Sequence, residues 1–267
     1  MSFLDRYGPW AVVTGASEGT GREFAKQIAA EGVPSILIAR REGPLTALAD
    51  EIRRETGVDC IPAAIDLAAP DAFDRIVDAV GDRTVGLFVS NAGADPNGAR
   101  FLDRDIEVWL QLIQRNVVTV TRCCHHFAGP MRQRGRGGLL LVNSGACYGG
   151  ARRMAAYSAT KAFTLCLAEG LWDELHDQGV DVLTLALHMT DTPALRALLA
   201  QNGVPVPDEI AQPQAVAALG LARLSYGPVQ NWGLADDDPG YAGMSAAERR
   251  KRAVAIGAAS VHIFGKG

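Results

Sequence analysis

No apolar run in the chain approaches the roughly 18 residues that a membrane-spanning helix requires. The opening residues, Met1-Ser2-Phe3-Leu4-Asp5-Arg6-Tyr7, lack the apolar core of a signal peptide. The expectation is a soluble, cytoplasmic protein with no membrane partner. A basic excess is also missing: the formal net charge is −4, which gives no electrostatic case for a nucleic-acid partner. No Pro/Gly/Ser-rich linker, low-complexity tract or internal repeat divides the 267 residues. The five cysteines, Cys60, Cys123, Cys124, Cys147 and Cys166, show neither CxxC nor Cys/His ligand spacing. Such a set fits a reducing compartment, and no metal is expected. His125-His126 beside Cys123-Cys124 does not change this, because adjacent residues diverge around a helix while ligand pairs sit at i,i+4.

What is present is alternation. Apolar runs at 10–13, 35–39, 61–65, 85–90, 139–142, 180–187 and 228–232 read as strands. Between them lie helical patterns, including a long one over 106–126 and another over 157–177. Continuous apolar strands alternating with amphipathic helices indicate a parallel sheet covered on both faces. The expected fold is α/β, a single doubly wound Rossmann-type domain over 1–267 with about seven strands. Residues 191–212 read as a substrate flap and 234–267 as a C-terminal extension. Within the latter, Ser245-Ala246-Ala247-Glu248 has capping-box spacing ahead of the basic run 249–252.

The first strand enters Thr14-Gly15-Ala16-Ser17-Glu18-Gly19-Thr20-Gly21, and a helix follows. Glycines let a backbone turn tightly against a pyrophosphate, and the helix N-terminus offers it free N–H groups. An acid about 20 residues on would read the ribose hydroxyls of NAD. The second strand ends instead in Ala39-Arg40-Arg41. A guanidinium there pairs with the 2′-phosphate of NADP(H), which is favoured over NAD(H). Glu18 in the loop pulls the other way. Asp66-Leu67 after the third strand is placed either to hold an adenine amino group or to cap a helix. Asn91-Ala92-Gly93 ends the fourth strand with small residues that admit a ribose.

Tyr157-Ser158-Ala159-Thr160-Lys161 sets Tyr and Lys at i,i+4 on one helix face. A free tyrosine has a pKa of about 10, and a nearby ammonium favours its phenolate. The pair suits general acid–base work between a ketone and an alcohol. Ser144 ends a buried strand shortly before, where its hydroxyl can hold the substrate oxygen. Asn116 lies in the long helix before that strand.

With these motifs in order, residues 8–192 resemble the short-chain dehydrogenase/reductase family, of the TGxxxGxG and YxxxK subtype. The resemblance implies that Tyr157 donates or accepts the proton. Lys161 would bind the nicotinamide ribose, Ser144 would orient the substrate and Asn116 would hold a relay water. Gly15, Ser17, Glu18, Gly19, Thr20, Gly21, Arg40, Arg41, Asp66, Leu67, Asn91, Ala92, Gly93, Thr190 and Thr192 would surround the cofactor. Two departures stand out. The family's Pro-Gly after the sixth strand is replaced by Leu187-His188, which puts the local backbone path in doubt. No Asp-Gly-Gly ending is present, so a homodimer is expected ahead of a homotetramer. The pocket candidates Cys147, Tyr148, Met154, His188, Met189, Leu195 and Leu198 suggest a small lipophilic substrate, with a hydroxysteroid or ketoacyl character. Two alternatives stay open. One is a 3-oxoacyl carrier-protein reductase docking through Arg152 and Arg153. The other is a catalytically silent NADP-binding sensor, which His188 keeps in view. Sugar-nucleotide epimerases share YxxxK, but their TGxxGxxG loop is absent.

Overall fold

A computed structural model of the chain describes residues 1–95 and 98–235, with the isolated positions 238 and 255. The capping box at Ser245 and the basic run 249–252 lie outside the described residues.

A short helix α1 (Phe3–Tyr7) leads into β1 (Trp10–Thr14), α2 (Gly19–Ala30), β2 (Ser35–Ala39), α3 (Glu42–Thr56) and β3 (Ile61–Ala64). Then come α4 (Ala72–Val80), β4 (Val85–Ser90), α5 (Ile106–Ile113), α6 (Thr119–Arg134) and β5 (Gly137–Ser144). The chain continues through α7 (Ala155–Leu175), β6 (Val180–Leu187), α8 (Pro193–Gln201), α9 (Pro213–Arg223) and β7 (Val229–Asn231). The seven strands form one parallel sheet in the order β3-β2-β1-β4-β5-β6-β7. The order reverses between β1 and β4, and a doubly wound sheet opens its binding crevice at that point.

Strand side chains alternate between two cores. Val13, Leu37, Val89, Leu140 and Leu185 pack with Phe24 and Ile28 of α2, Leu48 of α3 and Val216 of α9. Val12, Ile36, Phe88, Leu141 and Val182 pack with Ile76 of α4, Phe127 of α6 and Ala168 of α7. Cys123 and Cys124 are buried in this second core, where burial pushes the Cys123 thiol up to about 12. The His126 ring meets the edge of Phe73. Among the described residues no group of three or more His, Cys, Asp or Glu could hold a metal. No helix among them is long and apolar enough to cross a membrane.

Three local readings change. The helix expected over 106–126 reaches Arg134 but is interrupted by a π-turn at Gln114–Val118. The strand expected over 139–142 extends to Gly137–Ser144, because β6 pairs with it along its whole length. Residues 191–212 contain helix α8, and the segment folds back so that Thr190 bridges Ala211.

The N-terminus is clamped to the far end of the sheet. Arg6 donates twice to the Asp181 carboxylate, at 2.6 and 2.7 Å, and the Tyr7 hydroxyl donates to it at 2.7 Å. Asp181→Ala is expected to lower stability by about 2 kcal/mol, since it leaves the buried Tyr7 hydroxyl unpaired. Urea unfolding reads the loss, and an unchanged midpoint would show that the clamp carries no load.

Candidate active site

A cleft of about 680 Å³ opens along the C-terminal ends of the strands. Part of its floor is a glycine loop folded closely onto itself. Gly15 and Gly19 have φ of +68° and +55°, and a Cβ on Gly21 would lie 2.2 Å from the Gly15 carbonyl oxygen. No larger residue fits where the loop folds onto itself. Asn91 ties the loop to β4, its Nδ2 donating to the carbonyls of Thr14 and Gly15 at 3.2 and 3.3 Å. The Thr14 hydroxyl accepts from the backbone N–H groups of Asn91 and Ala92.

Helix α2 begins at Gly19 with Glu18 as its N-cap, and the Glu18 side chain makes no capping bond. The first-turn N–H groups and the positive end of the helix dipole therefore face the cleft, as an anion requires. Glu18 is engaged elsewhere, accepting from Arg41 Nη2 at 2.5 Å. The arginine pair thus splits: Arg41 neutralises the glutamate, while Arg40 has no hydrogen-bond or ion-pair partner among the described residues. Asp66 uses one carboxylate oxygen to accept from the Ala68 N–H at 3.0 Å. A narrow glycine cradle, open helix N–H groups and an unengaged guanidinium at one end fit a phosphorylated dinucleotide.

The opposite end of the cleft holds the tyrosine and lysine. Ser144 stands at the end of β5, and α7 brings Tyr157 and Lys161 against it. Lys161 is 6% exposed, and its Nζ donates to the Val142 carbonyl at 3.0 Å. Burial pushes this ammonium down to about 8. Its Nζ lies 5.8 Å from the Tyr157 ring centroid. Burial pushes the Tyr157 hydroxyl up, and the neighbouring Ser144 hydroxyl pulls it back. Asn116 is buried in the π-turn, its Nδ2 donating to the Gly93 carbonyl and the Thr160 hydroxyl, each at 3.1 Å. A π-turn redirects side chains that a regular helix would fan apart.

Of the expected cofactor contacts, Gly15, Ser17, Glu18, Gly19, Thr20, Arg40, Arg41, Asp66, Leu67, Asn91, Ala92, Gly93, Thr190 and Thr192 line the cleft. Gly21 and Asn116 stand behind its wall. Thr192 caps α8 by accepting from the Leu195 N–H at 3.2 Å, and its methyl packs on Gly19. Met154, His188, Met189 and Leu195 face the cleft. Cys147, Tyr148 and Leu198 do not: Cys147 is buried, and the Tyr148 hydroxyl turns to Asn231 of β7 at 2.7 Å. Arg153 is the one non-glycine with positive φ among the described residues, so the His188 backbone needs no glycine conformation. The His188 ring sits beside Gly145.

Two further residues belong to the site. Asn143 is buried, donating to the Lys161 carbonyl and the Thr184 hydroxyl and accepting from the Ser144 N–H at 2.9 Å. Arg115 lines the cleft beside Asn116. Both directly precede a residue singled out by its motif position, a weak cue that no spacing rule would have raised.

A model of short chain dehydrogenases matches residues 9–203. The 7beta-hydroxysteroid dehydrogenase of Clostridium sardiniense is 32% identical over 193 residues, covering 72% of this chain and 74% of the relative. A very-long-chain 3-oxoacyl-CoA reductase of Laccaria bicolor is 33% identical over 209 residues, covering 77% of this chain and 62% of the relative. Among solved structures, one described in a study of 7beta-hydroxysteroid dehydrogenase stereoselectivity superposes with a TM-score of 0.84 at 27% identity. It covers 95% of this chain and is itself covered completely. A short-chain dehydrogenase of Sphingobium yanoikuyae in complex with NADPH superposes with a TM-score of 0.74 at 25% identity, covering 95% of each chain.

Proposed function

The chain belongs to the short-chain dehydrogenase family and is an oxidoreductase. From that premise we propose that it interconverts a lipophilic ketone and its alcohol with NADP(H), using Tyr157 as the general acid–base. The observation that carries this reading is the convergence of Ser144, Tyr157 and Lys161 at one end of a cleft whose other end presents Arg40. NADP(H) would lie along the glycine loop and supply or accept the hydride. Arg40 would pair with the 2′-phosphate, and the α2 N-terminus with the pyrophosphate. Gly93, Lys161 and Thr190 would flank the nicotinamide half.

Ser144 holds the substrate oxygen beside the Tyr157 hydroxyl, which gives up its proton in reduction and takes it back in oxidation. Lys161 is buried beneath and holds the local charge balance. The Asn116 amide links this pocket to the backbone of α7 through Thr160. Met154, Met189 and Leu195 form an apolar wall for the substrate. The names of the relatives support a steroid or long-chain acyl skeleton. A panel of steroid ketones, 3-oxoacyl thioesters and aryl ketones tests the reading. NADPH consumption with at least one lipophilic ketone is expected, and binding of NADPH without turnover across the panel would favour a sensor.

The same reading includes a homodimer. Ile106 and Ile113 of α5, Phe163 of α7 and Phe101 in the short turn before α5 expose adjoining apolar surface. A second copy of this chain related by a two-fold axis would cover such a face with itself. Phe163→Asp is expected to weaken dimerisation by about 100-fold, read by light scattering on a sizing column. An unchanged mass would place the subunit contact elsewhere.

A further inference from the structure

Beside the reacting pair sits a cation that no motif assigns. Arg115 reaches the cleft from the π-turn, directly before Asn116. Its Nε donates to Asn116 Oδ1 at 3.2 Å and its Nη2 to the Ala94 carbonyl at 2.7 Å. A guanidinium has no acceptor, so the Asn116 atom facing it must be the oxygen. The amide nitrogen is thereby aimed at Gly93 and Thr160. Thr160 donates in turn to the Tyr157 carbonyl at 2.8 Å. One bonded path runs from Arg115 to the stretch of α7 that carries Tyr157 and Lys161. A Cβ on Gly93 would lie 3.1 Å from Lys161 Nζ and 3.3 Å from Asn116 Oδ1. Glycine there leaves open the space beside both the ammonium and the amide oxygen.

We propose that Arg115 is a positioning residue for the Tyr157–Lys161 pair, fixing the orientation of Asn116 and setting a second positive charge beside the pair. It rests on the reading of Tyr157 as the proton donor. The charged and titratable groups facing Arg115 come from several elements: Arg40 after β2, Asp66 after β3, Asp95 after β4 and Tyr157 on α7. Lys161 faces Cys147 and Arg115, and Tyr157 faces Asp95, Cys147 and Arg115. A cation at this place disfavours the Lys161 ammonium and favours the Tyr157 phenolate, so it draws both titrations down. Its removal raises both.

The test reads Lys161 itself. The chain has four lysines, Lys26, Lys161, Lys251 and Lys266, so each Cε resonance in carbon-13 lysine NMR is assignable. Lys161→Arg identifies the signal. In Arg115→Met the Lys161 titration is expected to rise by about half a pH unit or more. Arg115→Lys should restore most of the original position. Arg115→Gln keeps a donor for Asn116 but not the charge, and should also raise the titration if the methionine variant fails to fold. The pH profile of turnover should move upward as well, with kcat falling about tenfold. An unmoved or lowered Lys161 titration would overturn the proposal. So would a loss confined to NADPH affinity, which would make Arg115 a cofactor contact. If the wild-type enzyme reduced no ketone while the Lys161 titration still moved, the functional reading would fail and the placement of Arg115 would stand.

Discussion

Tyr157→Phe is expected to lower kcat by about a thousandfold or more while leaving NADPH affinity nearly unchanged. The substitution removes one oxygen and keeps the ring, so the packing around α7 is preserved. What disappears is the proton that must reach the substrate oxygen as the carbonyl becomes an alcohol. No nearby group substitutes for it. The Ser144 hydroxyl has an intrinsically higher pKa than a phenol, and the Lys161 Nζ is drawn toward the Val142 carbonyl, 5.8 Å from the Tyr157 ring centroid. Stopped-flow reduction of a lipophilic ketone gives kcat, and nicotinamide fluorescence gives the affinity. Retention of a tenth or more of wild-type kcat would remove Tyr157 from the proton path. A matched loss of NADPH binding would instead point to collapse of the cleft.

The second large effect concerns cofactor choice. Arg40→Ala is expected to weaken NADPH by about 1.5–3 kcal/mol, roughly tenfold to a hundredfold. NADH should barely respond. Two arginines end the second strand, but they have different employment. Arg41 is held by Glu18 at 2.5 Å, so its charge is largely answered within the protein. Arg40 lines the same end of the cleft without such a partner. Arg41→Ala should therefore weaken NADPH less than Arg40→Ala, even though it frees an acid near the phosphate. Isothermal titration with both cofactors separates the cases. Equal weakening of NADPH and NADH by Arg40→Ala would show that Arg40 does not read the 2′-phosphate.

The glycine loop, the seven strands and the Tyr157–Lys161 pair were legible in the sequence because each is written locally. A buried parallel strand is a continuous apolar run, and two residues four apart on a helix must share a face. What escaped depends on partners far away in the chain. Tyr148 is adjacent to the pocket in sequence, yet its hydroxyl finds Asn231, 83 residues on, and turns away. Glu18 pulled against the arginine pair in the sequence, and only the fold brings Glu18 and Arg41 together as an ion pair. The π-turn leaves no compositional trace, because Gln114–Val118 suits an ordinary helix equally well. Arg115 is hidden for the same reason: its meaning comes from the turn that carries it. The replacement of Gly by His188 raised a doubt about the backbone that the observed φ values remove.

The proposed function rests on hydride transfer coupled to Tyr157. The most direct measurement uses NADPH deuterated at the transferring position of nicotinamide C4, with a reactive lipophilic ketone and mass analysis of the product alcohol. Wild-type enzyme should place one deuterium on the carbinol carbon, and Tyr157→Phe, with NADPH still bound, should form almost none. An alcohol without deuterium, or equal labelling by both proteins, would contradict it.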